Sequence, residues 1–457
     1  MKVVSFITRV ASRNQPPAIR TGCAAKLQAL LLLLTLPAVV QAQFQFVTNN
    51  GAITITGYTG PGGAVVIPSR TNGYPVTIIG DGAFSAFLGN TSPTSLTIPD
   101  SVTNIGSGVF DECFGLTNII IGDGVQSIGI GTFVNCYSLN AIIVNQTNSF
   151  YSSVNGILFN KSQTTLVQSP QGNHAADYTI PNSVTNIGDT AFEGSGLSRI
   201  TIPNSVTRIG NKAFMNCSGL TSVIIGTNVT TIGDNAFEGC SNLQNMAIPS
   251  GITSIGFATF EACGFTNVTI PSGVTNIGTA AFDICGSLTN VTIPLSVTSI
   301  ANLAFYNCPL TTIVIPDGVT NIGSYAFSHC FSLTSVYFTG NAPTPTNDSS
   351  VFQYDNNATA YYLPGTTGWG PAFDNLPTVL WLPQVETSDA SFGVRSNQFG
   401  FNINWASGMT VVVEASTNLA NPIWSPLKTN TLKDIWSYFS DPTWTNHPSR
   451  FYRIRSP

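Results

Sequence analysis

Hydrophobic and polar positions along most of the chain recur on one short cycle. Residues 288–294 (LTNVTIP) place apolar Leu288, Val291 and Ile293 around Thr292. Such alternation predicts a short strand with one face in a core. Pro294 ends the strand and opens a turn. In the corresponding stretch one cycle earlier, Val274 and Ile277 return to the core and Gly278 permits a tight bend. An Ala-Phe pair then predicts another corner, formed by a short helical or irregular turn. One such coil cannot bury its apolar side alone, so coils must stack.

The cycle is a sequence repeat. IPDSVTNIGSGVFDEC returns as IPNSVTRIGNKAFMNC, IPSGVTNIGTAAFDIC and IPDGVTNIGSYAFSHC. Its phenylalanine falls at Phe84, Phe110, Phe133, Phe192, Phe214, Phe237, Phe260, Phe282, Phe305 and Phe327. The spacings are 26, 23 and 59, then 22 or 23 throughout. That period lies within the range of leucine-rich repeats. The predicted fold is mainly β: a right-handed leucine-rich-repeat solenoid of about ten coils, each of 22–23 residues, followed by a small β-sandwich-like domain. Stacked at ~4.8 Å, ten coils span roughly 50 Å. The phenylalanines become a core spine, each ring stabilising by roughly 1.5–3 kcal/mol.

The frame IPxxVTxIGxxAFxxCxxL, running over about residues 68–340, resembles the BspA-like leucine-rich-repeat family. The resemblance implies the solenoid fold. Relatives are mostly surface or secreted proteins, several linked to adhesion or to binding host and matrix proteins. It therefore implies a binding role, names no ligand and carries over no catalytic site.

Around the repeats (76–339), residues 43–75 are expected to cap the opening edge and 340–383, rich in Pro, Gly and aromatics, to cap the closing one, with room for two more strands. The spacing of 59 between Phe133 and Phe192 marks an insertion at about 145–178. Within it a hairpin is expected, with strands near 157–160 and 165–169. It reads as a tolerated loop or as a protruding binding element, the loop being favoured. Residues 384–457 lose the frame and read as a small β-rich module; VVVEASTNL, W-x-P-L and FYRIRSP resemble a module at the C-terminus of secreted proteins from environmental bacteria. Its Trp405, Trp424, Trp436 and Trp444 read first as core, with sugar stacking as the functional alternative.

Charge narrows the partners. Charged residues are 8% of the chain and the net charge is −5, which disfavours nucleic acid and anionic membranes. Residues 1–42 hold Lys2, Arg9, Arg13, Arg20 and Lys26 before the apolar run 27–40, with Val40 and Ala42 suited to cleavage. They read as a signal peptide, so a secreted or cell-surface protein without a membrane span is expected.

Chemistry is sparse. Of the nine cysteines, Cys23 would leave with the signal. Cys113, Cys136, Cys217, Cys240, Cys263, Cys285, Cys308 and Cys330 each sit three residues after a spine Phe, with Ser195 filling the place once. They are expected to be a ladder of buried free thiols, because stacked side chains point alike rather than at each other. His174, His329 and His447 are isolated, and the acidic residues are scattered over turns, among them Asp100, Asp123, Asp189, Asp234 and Asp317. His329 beside Cys330 is conceivable as a nucleophile pair, but neighbours on a strand or turn point to opposite sides. No metal site, cofactor or catalytic residue is expected.

The remaining candidate is the outward face of the strands. One column includes Thr201, Thr269, Thr292 and Tyr337; its neighbour includes Asn245, Asn267 and Asn290. These hydroxyls and amides could bind an extracellular protein or glycan. A structural envelope or matrix spacer, and a sugar site in the C-terminal module, are the alternatives. The oligomeric state is left open.

Overall fold

A computed structural model describes residues 43–86, 89, 92–173, 176–344 and 350–456. The expected signal segment with its Cys23, and His174, lie outside the described residues. The described chain is a β-solenoid of about 13 turns followed by two small antiparallel sheets. A short 3-10 turn spans Trp444–Asn446, and there is no α-helix among the described residues.

Each coil has three sides. The first carries the alternating strands, paired in parallel: Ser95–Ile98, Asn118–Ile121 and Ala141–Val144 early in the stack, then pairs such as Asn267–Thr269 with Asn290–Thr292. Val268 and Val291 point inward and are buried, while Thr269 and Thr292 point out, as a period of two requires. The second side is a ladder of two-residue strands such as Asn276–Ile277, Ser299–Ile300 and Asn321–Ile322. Ile277, Ile300 and Ile322 are buried there, opposite Val291 and its equivalents.

The third side carries the Phe spine and is not helical. From Phe110 to Phe327 the residues two before and two after the spine Phe adopt left-handed φ, as at Lys212 (54°) and Asn216 (58°) around Phe214, or Tyr325 (61°) and His329 (63°) around Phe327. Alternating the sign of φ turns every second N–H toward the next coil. Lys212, Phe214 and Asn216 thus donate to the carbonyls of Asp234, Ala236 and Glu238 at 2.9, 2.8 and 2.7 Å. For a non-glycine residue the left-handed region costs roughly 1–2 kcal/mol. The cost is offset by pairing backbone groups that would otherwise be buried unpaired.

The spine rings stack at 5.0–5.8 Å from Phe192 to Phe327. The stack continues onto Phe352 at 5.3 Å, one coil beyond the expected last spine position. At the opening end Phe84 packs against Tyr58 and Phe44. Phe44–Asn49 and Ala52–Tyr58 form the capping hairpin there. In the closing segment, Thr359–Tyr362 and Leu376–Leu380 add two parallel strands to the first side.

The stack is interrupted once. Phe110 and Phe133 belong to one core cluster and Phe192 onward to another. The strand side of the first segment ends at Ala141–Val144, and its two-residue ladder ends at Ser127–Ile128. Between the segments stand Tyr151–Val154, Ile157–Asn160 and Thr165–Gln168, an antiparallel meander. It is built into the stack rather than protruding: Leu158 faces the first core, Phe159 and Leu166 the second. The last strand of the meander pairs in parallel with Asn186–Ile187 and restarts the second ladder.

The C-terminal sheets, one around Gln398–Asn404 and one around Thr410–Ser416, share a core of Phe401, Ile403, Trp405, Val411, Val413 and Phe439. Leu363 of the closing segment joins that core, and the indole N–H of Trp405 donates to the carbonyl of Trp381 at 2.9 Å. Of the module's four tryptophans only Trp405 is buried. Trp436 is 53% exposed, and Trp424 is half-buried under the Arg453 guanidinium. Core packing therefore accounts for one of the four.

Candidate functional site

The expected site residues fall into three groups. Asn267 and Thr269 stand directly above Asn290 and Thr292 in parallel register, and all four are exposed. This is a flat neutral patch of paired amides and hydroxyls at about the 4.8 Å interstrand spacing. Thr201 is half-buried on its own strand pair, Arg199–Ile202 with Ser222–Ile225.

Asn245 and Tyr337 depart from expectation. No strand forms at 244–249, so Asn245 is exposed on an irregular segment between two sheets. That coil has Gln244, Met246 and Ala247 where most others carry β-branched residues, and these side chains do little to favour a pleat. Tyr337 is half-buried, stacked on Tyr361 at 5.0 Å and against Trp381 at 4.5 Å. The closing segment thus covers part of the ring expected to face solvent.

The spine residues Phe214, Phe237, Phe260, Phe282, Phe305 and Phe327 are wholly buried. So are the ladder cysteines, all eight of them free. Each thiol donates to the carbonyl of the spine Phe one coil earlier, at 3.0–3.3 Å; Cys217, Cys240, Cys263, Cys285, Cys308 and Cys330 reach Phe192, Phe214, Phe237, Phe260, Phe282 and Phe305. Burial pushes the thiols of Cys113, Cys136, Cys217, Cys263 and Cys330 up, Cys113 to about 12. A thiol held neutral is a poor nucleophile and a poor metal ligand. His329 turns away from Cys330, its Nδ1 against the hydroxyl of Ser328 at 2.9 Å and its ring against Tyr306 and Tyr354.

Three of the turn carboxylates cap backbone N–H groups of the next coil. Asp100 Oδ1 accepts the N–H of Asp123 at 2.8 Å; Asp189 takes that of Asn211 and Asp234 that of Phe257, both at 2.9 Å. Each side chain thereby joins its corner to the next coil. Two acidic features were not read from the sequence. Glu238, Glu261 and Asp283 follow their spine Phe in three successive coils, and burial, reinforced by Glu261, pushes Asp283 up to about 7. Asp355 follows Phe352 by three residues and so takes the ladder position of a cysteine. Both could have been found by aligning every coil on its Phe. Among the described residues no cluster of His, Cys, Asp or Glu is placed to hold a metal ion. No helix among them is long and apolar enough to cross a membrane.

A family model described as the BspA type leucine rich repeat region matches residues 67–174, 171–285 and 253–367. The chain belongs to this family. Among solved structures, this BspA-type repeat chain is similar to a leucine-rich repeat protein from Eubacterium ventriosum: 24% identity over 64% of this chain and 93% of that one, TM-score 0.49. It is also similar to a leucine rich cell surface protein from Faecalibacterium prausnitzii, with 28% identity over 71% of this chain and 94% of that one, TM-score 0.46. No curated protein matches the chain.

Proposed function

We propose that this BspA-type chain is an extracellular binding protein that recognises a protein or a glycan along its strand face and performs no chemistry. The observation that carries the reading is the exposed, registered pair Asn267–Thr269 and Asn290–Thr292. It is a rigid array of donors and acceptors, free of charge and already fixed by the stacked backbone. Pre-organisation of this kind lowers the ordering cost of binding. Family membership supports a binding role, as do ladder thiols buried as hydrogen-bond donors and turn carboxylates engaged in capping.

The test is a screen of the full chain against glycans and immobilised matrix proteins, repeated with Thr269→Glu/Thr292→Glu. Both positions are exposed, so folding is expected to change little. Binding should fall roughly tenfold or more, because two desolvated carboxylates would lie under the ligand. Undiminished binding by the double variant would remove the strand face from the function.

A second reading rests on the module. Trp436 and Tyr438, 53% and 40% exposed, alternate on one strand opposite Asn404 and Asn402. Flat rings beside amides suit a sugar face and its hydroxyls. If Trp436→Ala abolishes binding and the threonine changes do not, the sugar site is in the module and the solenoid is its spacer.

A further inference from the structure

The interruption of the stack leaves an edge that the chain itself does not pair. In the coil of Phe133, Gly131 and Asn135 have left-handed φ of 67° and 57°. This is the same arrangement that elsewhere sends three N–H groups to the next coil. Here the next coil is replaced by the meander. Among the described residues the N–H groups of Gly131, Phe133 and Asn135 meet no acceptor. On the far side of the gap two of the corresponding carbonyls are used. The N–H of Ser169 donates to Ala191, and the side-chain amide of Gln171 donates to Glu193. At the closing end of the stack the equivalent N–H of Phe352 is capped by the carboxylate of Asp374 at 2.8 Å. The internal edge has no such cap.

The edge opens on a cleft. Two adjoining cavities of about 410 and 150 Å³ share Ile130, Gly131, Asp189 and Thr190. Asp111 and Glu193 line the larger one from opposite sides of the interruption. Lys212 lines it as well, while Asp189 is engaged with Arg208 at 3.6 Å and caps Asn211. Burial raises Glu193, Lys212 partly offsets that, and Asp111 raises it again, so the two carboxylates feel each other across the gap with one lysine between three acidic groups.

These features select one kind of occupant. A row of N–H groups with alternating left- and right-handed φ ordinarily attracts anions. The carboxylates beside it repel them. A peptide backbone supplies neutral acceptors, and in an extended strand every second carbonyl points the same way, matching donors on every second residue. Cationic side chains from that strand would compensate Asp111 and Glu193. The rim adds Ile130, 64% exposed, as an apolar contact.

We propose that this cleft is a second binding site, separate from the strand face, which takes an extended basic segment of a partner protein. The segment's carbonyls accept from Gly131, Phe133 and Asn135, and its lysines or arginines face Asp111 and Glu193.

The probe is a fluorescein-labelled peptide, KVKTKVKT, added to the full chain and followed by anisotropy, with EVETEVET as its control. Hydrogen exchange at residues 129–136 is measured by mass spectrometry in the same samples. The basic peptide should bind and the acidic one should not. Exchange at 131, 133 and 135 should slow on binding. Asp111→Asn/Glu193→Gln should weaken binding by roughly tenfold. The proposal is overturned if the basic peptide fails to bind, or if it binds without slowing exchange at 129–136. It is also overturned if those amides are already protected without peptide in a concentration-dependent way, since a second copy would then fill the cleft. None of these outcomes bears on the strand-face threonines.

Discussion

Truncating Phe282 to alanine is expected to destabilise the solenoid by about 3–5 kcal/mol. The ring is wholly buried and stacks at 5.3 Å on both Phe260 and Phe305. The gap cannot collapse easily, because the backbone on either side is held by inter-coil hydrogen bonds at Ala280, Phe282 and Ile284. Coils contact only their neighbours, so the loss should appear as early melting of the surrounding coils rather than of the whole chain. Phe133 provides the comparison. It stacks on Phe110 at 5.6 Å, while its other side borders the interruption. Phe133→Ala should therefore cost less than Phe282→Ala. Urea unfolding followed by exchange at each coil would check this. Equal costs at the two positions would mean that stacking along the spine is not what stabilises it.

Replacing Asp355 by asparagine should stabilise the protein at pH 8 and have little effect at pH 4. Asp355 sits where eight other coils place a thiol that donates to a carbonyl, and its own N–H donates to Phe352 as that of Cys330 does to Phe327. A carboxylate cannot donate. Both its oxygens lack a partner, and burial pushes its pKa from 3.8 up to about 8. The neutral acid is thus the form the fold accepts. The unfolded chain ionises near pH 4 and the folded chain near pH 8, so stability present below pH 4 is progressively lost as pH rises through 8. An amide is never ionised and still donates, so the variant escapes that loss, which is of the order of a few kcal/mol. Thermal midpoints between pH 4 and pH 9 should diverge in favour of Asp355→Asn. A difference that stays constant with pH would rule out the carboxylate as the cause.

How much of this was legible in the sequence follows from where side chains carry the signal. The Phe spine, the cysteine ladder and the strand face at Val268 and Val291 depend on repeated residue types, so the frame exposes them. The third side does not. About half of its left-handed positions hold Gly or Asn, as at Gly108, Gly131, Gly194, Asn216 and Asn307, but the rest include Lys212, Ala280, Ile284, Leu303, Tyr325 and His329, types that do not favour that conformation. At those remaining positions the conformation is imposed by backbone pairing between coils, so the Gly and Asn signal is too intermittent to reveal the third side. The coil of Phe352 was hidden because its spacing from Phe327 is 25 and its ladder residue is Asp355 rather than cysteine. The missing strand at Asn245 is a local failure of β-branched residues within an intact frame. Of the candidate site, the Asn267, Thr269, Asn290 and Thr292 patch could be placed from spacing alone. The covering of Tyr337 by Tyr361 and Trp381 could not, because that contact comes from a segment outside the repeat. The cleft was equally invisible: a gap in the spine spacing at Phe133 marks where coils stop, not which N–H groups are left over.

The strand-face claim is tested most directly with single exposed thiols. The native ladder cysteines are all buried and should stay silent to alkylation, so a thiol introduced at Thr292 or at Trp436 can be read alone. With a ligand captured in the screen, alkylation of Thr292→Cys should slow markedly while that of Trp436→Cys is unchanged. Protection at Trp436→Cys with full reactivity at Thr292→Cys would contradict the account and move recognition to the C-terminal module.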